Sequence, residues 1–549
     1  MENEKHPPDT LKALFEASFA RYGARPAFAS MGVTLSYREV EELSAAFGAF
    51  LRRRLALAPG ERVAIMLPNL LQYPVALIGA LRAGLAVVNV NPLYTAAELQ
   101  FQLADSGAAA VVVLENFAHT LEQALAGTRV RHVVTTQVGD LFPAAKRWAA
   151  NFVIKRVKRM VPAWRLPGAP AWRDALAHAS RLSDVFVQPD DVAFLQYTGG
   201  TTGRPKGAVL THRNIAANVE QTAAWIGGTL AEGEETVITA LPLYHIFSLT
   251  ANLLVFMKLG GRNVLIANPR DLTGLVRQMK LTRFSAITGV NTLYNALLDQ
   301  PGFAALDFTG LKLAIAGGMT LQREVAERWQ RVTGVPLIEG YGLTEASPIV
   351  CVNPIEAREF SGKLGLPMAA TEVTIRDERG AELARGEVGE ICVRGPQVMR
   401  GYWNAPEETA QAFFPGGWLR TGDLGRMDAT GCIEFVERSK DVIVVSGFKA
   451  YPSEIEQVAL LHPGVKDAGA AGVPDARSGE AVALYVVRRD PQLSAEALAE
   501  HCAKYLAPYK RPKRIEFRDS LPKSPLGKVL HRELQAAATT PGARRAASR

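Results

Sequence analysis

Cysteine is scarce: four residues in 549, at 351, 392, 432 and 502, none in a Cys-x-x-Cys pair. That excludes a disulfide scaffold and a zinc knuckle and suits a reducing cytoplasm. Long apolar runs are missing too. The longest, LLQYPVALIGAL at 70–81, falls well short of the roughly 20 residues a spanning helix needs. The start, MENEKHPPDT, is polar and lacks the apolar core of a secretion signal. No internal repeat occurs, and the one low-complexity stretch, AAATTPGARRAASR from 536, reads as a disordered tail. A formal charge of +8 with a pI near 9.2 is modest for this length and gives no argument for nucleic acid.

With 48% hydrophobic and 21% charged residues, the chain is globular and long enough for about two to four domains. RVAIML (62–67), YPVALIGALRAG (73–84), AVVNVN (86–91), AAAVVVL (108–114) and VRHVVTT (130–136) alternate as strand and helix. Such repetition predicts parallel sheets covered by helices. Near 365 the style changes to short alternating strands with glycine turns (TEVTIRDERG, GEICVRG, GCIEFVER), which predict a small antiparallel barrel or sheet. Beyond RSKD at 438–441 come VIVVSG and a helix opened by Pro452 and Ser453, and a domain boundary is placed there.

One stretch stands apart. Residues 141–165 hold seven Lys or Arg and no acid, and Trp148, Phe152, Val153, Val157, Met160 and Trp164 recur every three to four residues. Two readings stay open: a basic amphipathic helix on an anionic membrane surface, or a docked helix whose stripe is core and whose charges are solvated.

The segment YTGGTTGRPKG at 197–207 is built to hold phosphate, although it lacks the Gly-Lys-Ser/Thr ending of the common nucleotide-hydrolase loop. DVAFLQY (191–197) reads as a strand leading into it. Glycines let backbone N–H groups turn toward an anion, threonine hydroxyls add donors, and Lys206 adds a positive charge. Downstream stand PLYHIF (242–247), AGGMT (316–320), EGYGLTE (339–345), GWLRTGD (417–423), RSKDVIVVSGFKAYPSEIE (438–456) and LPKSPLGK (521–528).

In this order the set resembles the adenylate-forming superfamily of acyl-CoA synthetases, firefly luciferase and peptide-synthetase adenylation domains. The likeness runs from LSYREVEELSAAF at 35–47 to the C-terminal motif. Within the superfamily, FLQYTGGTTG, PLYHIF, NPRDL, ITGVNTLYNALL and LPKSPLGK look most like bacterial long-chain-fatty-acid–CoA ligases. The resemblance implies an α/β fold: a large N-terminal domain of helix-covered parallel sheets plus a small β-barrel subdomain (1–438), a small mobile α+β C-terminal domain (439–535), and the tail at 536–549.

It also implies ATP, Mg2+ and coenzyme A as reaction partners of a fatty acid, which passes through an acyl-adenylate with release of pyrophosphate and then AMP. Residue by residue, Thr198, Gly199, Gly200, Thr201, Thr202, Gly203 and Lys206 match the phosphate loop. Glu345 matches the Mg2+ ligand, with Thr201 and Thr344 near the phosphates. Gly317, Gly318 and Tyr341 match the adenine site, Gly342 beside them the ATP/AMP site, Asp423 the acceptor of both ribose hydroxyls, and Arg438 the base near ribose and α-phosphate. Lys528 matches the lysine that meets the carboxylate and α-phosphate, while Lys523 stands nearby in the same motif. His245 matches the acyl-carboxylate contact, although a histidine flanked by Tyr244, Ile246 and Phe247 also reads as core. Segments 249–256 and 287–298 read either as acyl-tunnel lining or as helical core. Lys440 matches the pivot of a domain rotation that withdraws Lys528 and brings forward Ser446, Gly447 and Phe448 to the CoA channel.

Two departures are visible: Gly199 stands where many members have Ser, and the pivot is Lys rather than Asp, both of which occur. Medium-chain or aryl acids, or transfer to a carrier-protein thiol, are the alternatives within the fold, and a non-catalytic nucleotide-binding or membrane-scaffold protein is the alternative outside it. The partner readings left open are a homodimer and membrane contact through 141–165, on the inner face of the cell membrane from a cytoplasmic protein.

Overall fold

The computed structural model describes residues 9–177, 182–198, 205–446, 448–475, 477–524, 527 and 529–539. They fall into two compact units, one drawn from Met1–Glu372 and Arg394–Phe413, the other from Val373–Val393 and Phe414–Arg549.

Two sheets build the first unit. One runs in the order Gly401–Tyr402, Lys206–Thr211, Val192–Thr198, Ala86–Asn89, Arg62–Met66, Ala110–Leu114, His132–Thr136. From Val192–Thr198 onward its neighbours are parallel. Ala110–Leu114 is buried at every position, as expected of a parallel strand covered on both faces, whose sequence, AVVVL, is continuously apolar rather than alternating. The strand, helix, strand reading of 62–91 holds: Arg62–Met66, Gln72–Arg82 and Ala86–Asn89.

The second sheet has nine strands, and its parallel run places Leu337–Gly342, Leu313–Ala316, Ala286–Gly289, Thr236–Thr239, Arg262–Leu265 and Pro26–Ser30 side by side. The helix Arg323–Thr333 shows why this layer is stable. Val325, Ala326, Trp329 and Thr333 form one buried stripe, while Arg323, Glu324, Glu327 and Arg331 occupy the rest of the helix. Trp329 meets Tyr294 edge to face, with ring centroids 4.7 Å apart, a pairing worth about 0.5–1.5 kcal/mol beyond area burial. Tyr294 and Leu297 are core, and every residue from Leu249 to Leu254 is buried. For Tyr294 and Leu297 the packing reading is the one realised.

A five-stranded sheet, mostly in the second unit, is built where a small antiparallel barrel or sheet is expected; its strand Trp418–Met427 pairs antiparallel with Gly389–Arg394 and with Ile433–Arg438. Another five-stranded sheet centres on the long hairpin of Val465–Asp475 and Gly479–Arg488. Pro452 opens the helix Pro452–Leu460, since a missing N–H costs nothing in a first turn. The turn Ser439–Asp441, which carries Lys440, lies inside this unit. The final helix, His531–Thr539, extends into the segment expected to be a disordered tail. Its alanine run 536–538 has the highest helix propensity of any residue type. Residues 540–549 of that tail lie outside the described residues.

The basic stretch also departs from one of its two readings. Helix Ala144–Phe152 and the π-helical turn Val153–Val157 bury none of their residues. Trp148 is 70% exposed and Val157 65%, and Trp148 stacks on Phe152 at 5.3 Å. Only Trp164 of the stripe packs on the core. The stripe of 144–157 is therefore not core; polar contacts hold the segment, Asn151 with Gln137 and Gly139 and Lys155 with Glu115.

Candidate active site

In the first unit the motif loops share one address. PLYHIF follows the strand Thr236–Thr239, AGGMT follows Leu313–Ala316, and Glu345 follows Leu337–Gly342. All three leave the C-terminal ends of strands in the same parallel run. Open α/β sheets bind ligands at that edge, because the loops there are free to be shaped by side chains.

The loop bearing His245 is held by buried amides. Asn69 Nδ2 donates to the carbonyls of Thr239 (3.0 Å) and Leu241 (2.9 Å), and its Oδ1 accepts from Leu243 N–H at 2.8 Å. Gln196, on the strand before the phosphate loop, donates to Tyr244 O at 2.7 Å and accepts from Asn89 Nδ2 at 3.0 Å. Tyr73 Oη lies within hydrogen-bond distance of Asn89 Oδ1 and Leu243 O. None of Asn69, Tyr73 or Asn89 stands out in the sequence, and Gln196 does so only within its motif, because their partners lie up to 174 residues away.

His245 Nδ1 accepts from Phe247 N–H at 3.3 Å. Burial pushes its pKa down to about 4, so at neutral pH the ring is uncharged and Nε2 carries the proton. The side chain offers a neutral donor rather than a cation.

Close backbone packing explains the glycines. At Gly342 an added Cβ would sit 2.1 Å from Pro348 O, so no side chain fits. Gly318 has φ +77, in the left-handed region that favours glycine, and a Cβ at Gly317 would press on Gly340 O and the Phe247 ring at 3.2 Å. Tyr341 pairs with Cys351 across the strand edge and is partly accessible. Glu339, in the same motif, is buried, which raises its pKa to about 7, and Oε1 accepts from Leu321 N–H at 3.1 Å.

Glu345 lies in the turn Thr344–Ala346. Its Oε1 accepts from Tyr402 Oη at 2.7 Å, and its backbone carbonyl accepts from Met399 N–H at 2.7 Å. Lys206 Nζ lies 5.2 Å from the centre of the Tyr402 ring. Lys206 opens the strand antiparallel to Val192–Thr198, directly opposite Thr198. The structure therefore brings Lys206 and Glu345 to one tyrosine, a residue the motif reading missed although GYW at 401–403 marks the spot. Among the described residues no group of three His, Cys, Asp or Glu could cage a metal. A single carboxylate fits Mg2+ only where phosphate oxygens complete the shell, which is the usual way this ion is held.

In the second unit Asp423 and Arg438 face each other across paired strands, with Arg438 Nε 3.4 Å from Asp423 Oδ1. Thr421 Oγ1 accepts from Asp423 N–H at 3.1 Å, and Gly422 N–H donates to Glu390 Oε1 at 3.0 Å. Glu437 accepts from Arg438 N–H (2.8 Å) and Ser453 N–H (2.7 Å), tying the strand end to the next helix. Phe448 is 60% exposed and stacks on Tyr509 at 5.1 Å, and Ser446 N–H donates to Ser478 O at 2.8 Å.

Gly199, Gly200, Thr201, Thr202, Gly203, Gly447 and Lys528 lie outside the described residues. The flanks of Lys528 are defined, however. Lys523 bridges to Val529 and pairs with Asp467, and Leu530 N–H donates to Pro522 O at 2.9 Å. His531 sits between Asp441 (3.2 Å) and Glu456 (2.7 Å). Burial alone would lower its pKa; the two carboxylates outweigh that and raise it to about 10.

A family model described as AMP-binding enzyme matches residues 15–403, and one described as AMP-binding enzyme C-terminal domain matches 454–528. The long-chain-fatty-acid–CoA ligase of Escherichia coli O157:H7 is 54% identical over 533 residues, covering 96% of this chain and 95% of that protein. The protein of the same name from Salmonella typhimurium is 53% identical over 530 residues, 96% and 94% of the two chains. Among solved structures, ATP-bound MatB from Rhodopseudomonas palustris matches with a TM-score of 0.82 at 28% identity, covering 96% of this chain and 98% of that one.

Proposed function

This chain belongs to the AMP-binding enzyme family, and from that membership we propose that it is a long-chain-fatty-acid–CoA ligase. It uses ATP, Mg2+ and coenzyme A. A fatty-acid carboxylate oxygen attacks the α-phosphorus of ATP, the bond to the β-phosphate oxygen breaks, and pyrophosphate leaves. The CoA sulfur then attacks the acyl carbon, its proton goes to solvent, and AMP leaves.

The reading that best fits each residue follows the chemistry. Residues 198–203 and Lys206 take the β- and γ-phosphates, so that charge on the leaving pyrophosphate meets fixed donors. Glu345 and Thr201 hold Mg2+, with Thr344 beside the phosphates. Bound there, the ion supplies Lewis-acid neutralisation of phosphate charge. Gly317, Gly318 and Tyr341 receive the adenine, with Gly342 beside them in the nucleotide site, Asp423 the ribose hydroxyls, Arg438 the ribose and α-phosphate. His245 donates from Nε2 to the fatty-acid carboxylate, which orients the nucleophile without neutralising it. Lys528 meets that carboxylate and the α-phosphate. The domains divide at 438–439, Lys440 is the pivot, and Ser446, Gly447 and Phe448 serve CoA. The observation that carries the reading is the convergence of the His245, Gly317–Gly318 and Glu345 loops on the C-terminal edge of one parallel run.

AMP release with CoA across a palmitate-to-benzoate series tests it. Release should rise with chain length and sit near background for benzoate. Benzoate at or above palmitate would favour an aryl ligase, activity with only a carrier-protein thiol would favour that branch, and no release with any acid would point to a non-catalytic role.

The exposed stripe of 144–157 supports a second reading, peripheral contact of a cytoplasmic protein with the inner face of the cell membrane. Trp148, Phe152 and Val157 face outward amid Lys155, Arg156, Lys158 and Arg159, an arrangement suited to an anionic interface. Each such charge contributes about 1 kcal/mol. Replacing Arg156, Lys158 and Arg159 by glutamine should therefore weaken sedimentation with anionic liposomes by about 100-fold. Unchanged sedimentation removes the idea. No helix among the described residues is long and apolar enough to cross a membrane. A homodimer belongs to the same set of proposals, and sedimentation velocity checks it.

A further inference from the structure

Among the described residues, Tyr402 meets both Lys206 and Glu345. The strand Gly401–Tyr402 pairs antiparallel with Lys206–Thr211, Tyr402 opposite Ala208, and Tyr402 N–H donates to Thr409 Oγ1 at 2.8 Å. Its backbone is thus fixed on two sides. From that position its hydroxyl donates to Glu345 Oε1 at 2.7 Å, and its ring carries the Lys206 ammonium at 5.2 Å from the centroid.

The chemistry of this arrangement is specific. A lysine or arginine beside Glu345 would cancel the charge a cation needs, whereas a phenol donates one proton and leaves the carboxylate anionic. Without an intervening group, Lys206 and Glu345 would be free to close on each other as an ion pair. An aromatic face holds the ammonium by its quadrupole and spares all three N–H donors for another acceptor.

We propose that Tyr402 is a positioning residue for the phosphate-bound cation: its hydroxyl fixes one oxygen of Glu345, and its ring keeps Lys206 apart from that carboxylate and aimed at phosphate. The inference rests on the reading of Glu345 as the metal-holding acid. Carboxylates that hold metals are themselves oriented by hydrogen bonds, and loss of such a partner costs about 10–100-fold in metal affinity.

The test compares the full chain with Tyr402→Phe, which keeps the ring and loses the hydroxyl, and Tyr402→Ala, which loses both. Mn2+ binding to the enzyme–ATP complex is followed by water-proton relaxation, and pyrophosphate release is measured against Mg2+ concentration. Tyr402→Phe should weaken Mn2+ binding about 10-fold or more and raise the Mg2+ requirement alike, with KM for fatty acid unchanged. Tyr402→Ala should go further and raise KM for ATP as well. A merely structural role would lower kcat and the melting temperature without moving the metal requirement, and that outcome overturns the proposal. Should the alanine variant fail to fold, the phenylalanine variant decides alone. Absence of metal-dependent pyrophosphate release from the unaltered chain would overturn the reading of Glu345 and this inference together; intact release with an unmoved requirement in Tyr402→Phe overturns this inference only.

Discussion

Replacing Lys528 by alanine should cut acyl-adenylate formation by about 100- to 1,000-fold, the scale set by losing one preorganised donor to developing charge. Conversion of supplied acyl-adenylate to acyl-CoA should stay near that of the unaltered chain. The asymmetry follows from where charge moves. During adenylation a carboxylate approaches a phosphate that already bears negative charge, and an ammonium on a flexible stem can follow that charge onto the bridging oxygen. During thioester formation AMP departs as a stable anion and the attacking sulfur needs no such cation. The substitution is a clean one because the neighbouring residues hold themselves: Lys523 with Asp467, Lys523 with Val529, and His531 with Asp441 and Glu456. Both half-reactions should be measured on the same preparation, palmitate with ATP for the first and palmitoyl-adenylate with CoA for the second. An equal loss in both would end the assignment.

The parts of this molecule that could be read in advance are those whose cause is local. The continuous apolar run AVVVL at 110–114 specifies a strand covered on both faces, and Pro452 specifies a helix start, because periodicity and a missing N–H act over a few residues. Gly342 was legible as a site residue only through its motif; the reason for it, the Pro348 carbonyl 2.1 Å from any Cβ, is tertiary. The residues that escaped notice share that property. Tyr402 meets Glu345 across 57 positions, and Asn69 meets Leu243 across 174. No window of sequence contains both ends of either contact. The stripe at 144–157 illustrates a different limit. A three-to-four-residue period states that one face is apolar, and the same pattern serves a buried face or an exposed one, so only the fold shows that none of the described residues buries it.

Asp423→Ala should raise KM for ATP on the order of 10- to 100-fold, since a charged acceptor contributes about 1.5–3 kcal/mol per hydrogen bond and one of its two ribose contacts dominates the loss. KM for the fatty acid should not move. The geometry favours this over a folding defect. Asp423 lies on a strand whose backbone pairing with Ile433–Arg438 does not depend on the carboxylate. The turn before it is held separately, by Gly422 N–H on Glu390 and by the Arg420–Glu390 pair at 2.8 Å. Its ion pair with Arg438 spans 3.4 Å and leaves the guanidinium 39% accessible, so solvent screening keeps the stability cost small. Arg438 does lose its anchor, and if it meets the α-phosphate a secondary fall in kcat should accompany the change in KM. Asp423→Asn separates the two effects: it keeps one carbonyl acceptor for a ribose hydroxyl and removes the charge facing Arg438. Its KM for ATP should lie between those of the unaltered chain and the alanine variant. Steady-state kinetics with ATP varied at saturating palmitate and CoA gives the answer, and unaltered ATP dependence in Asp423→Ala would take this residue out of the ribose site.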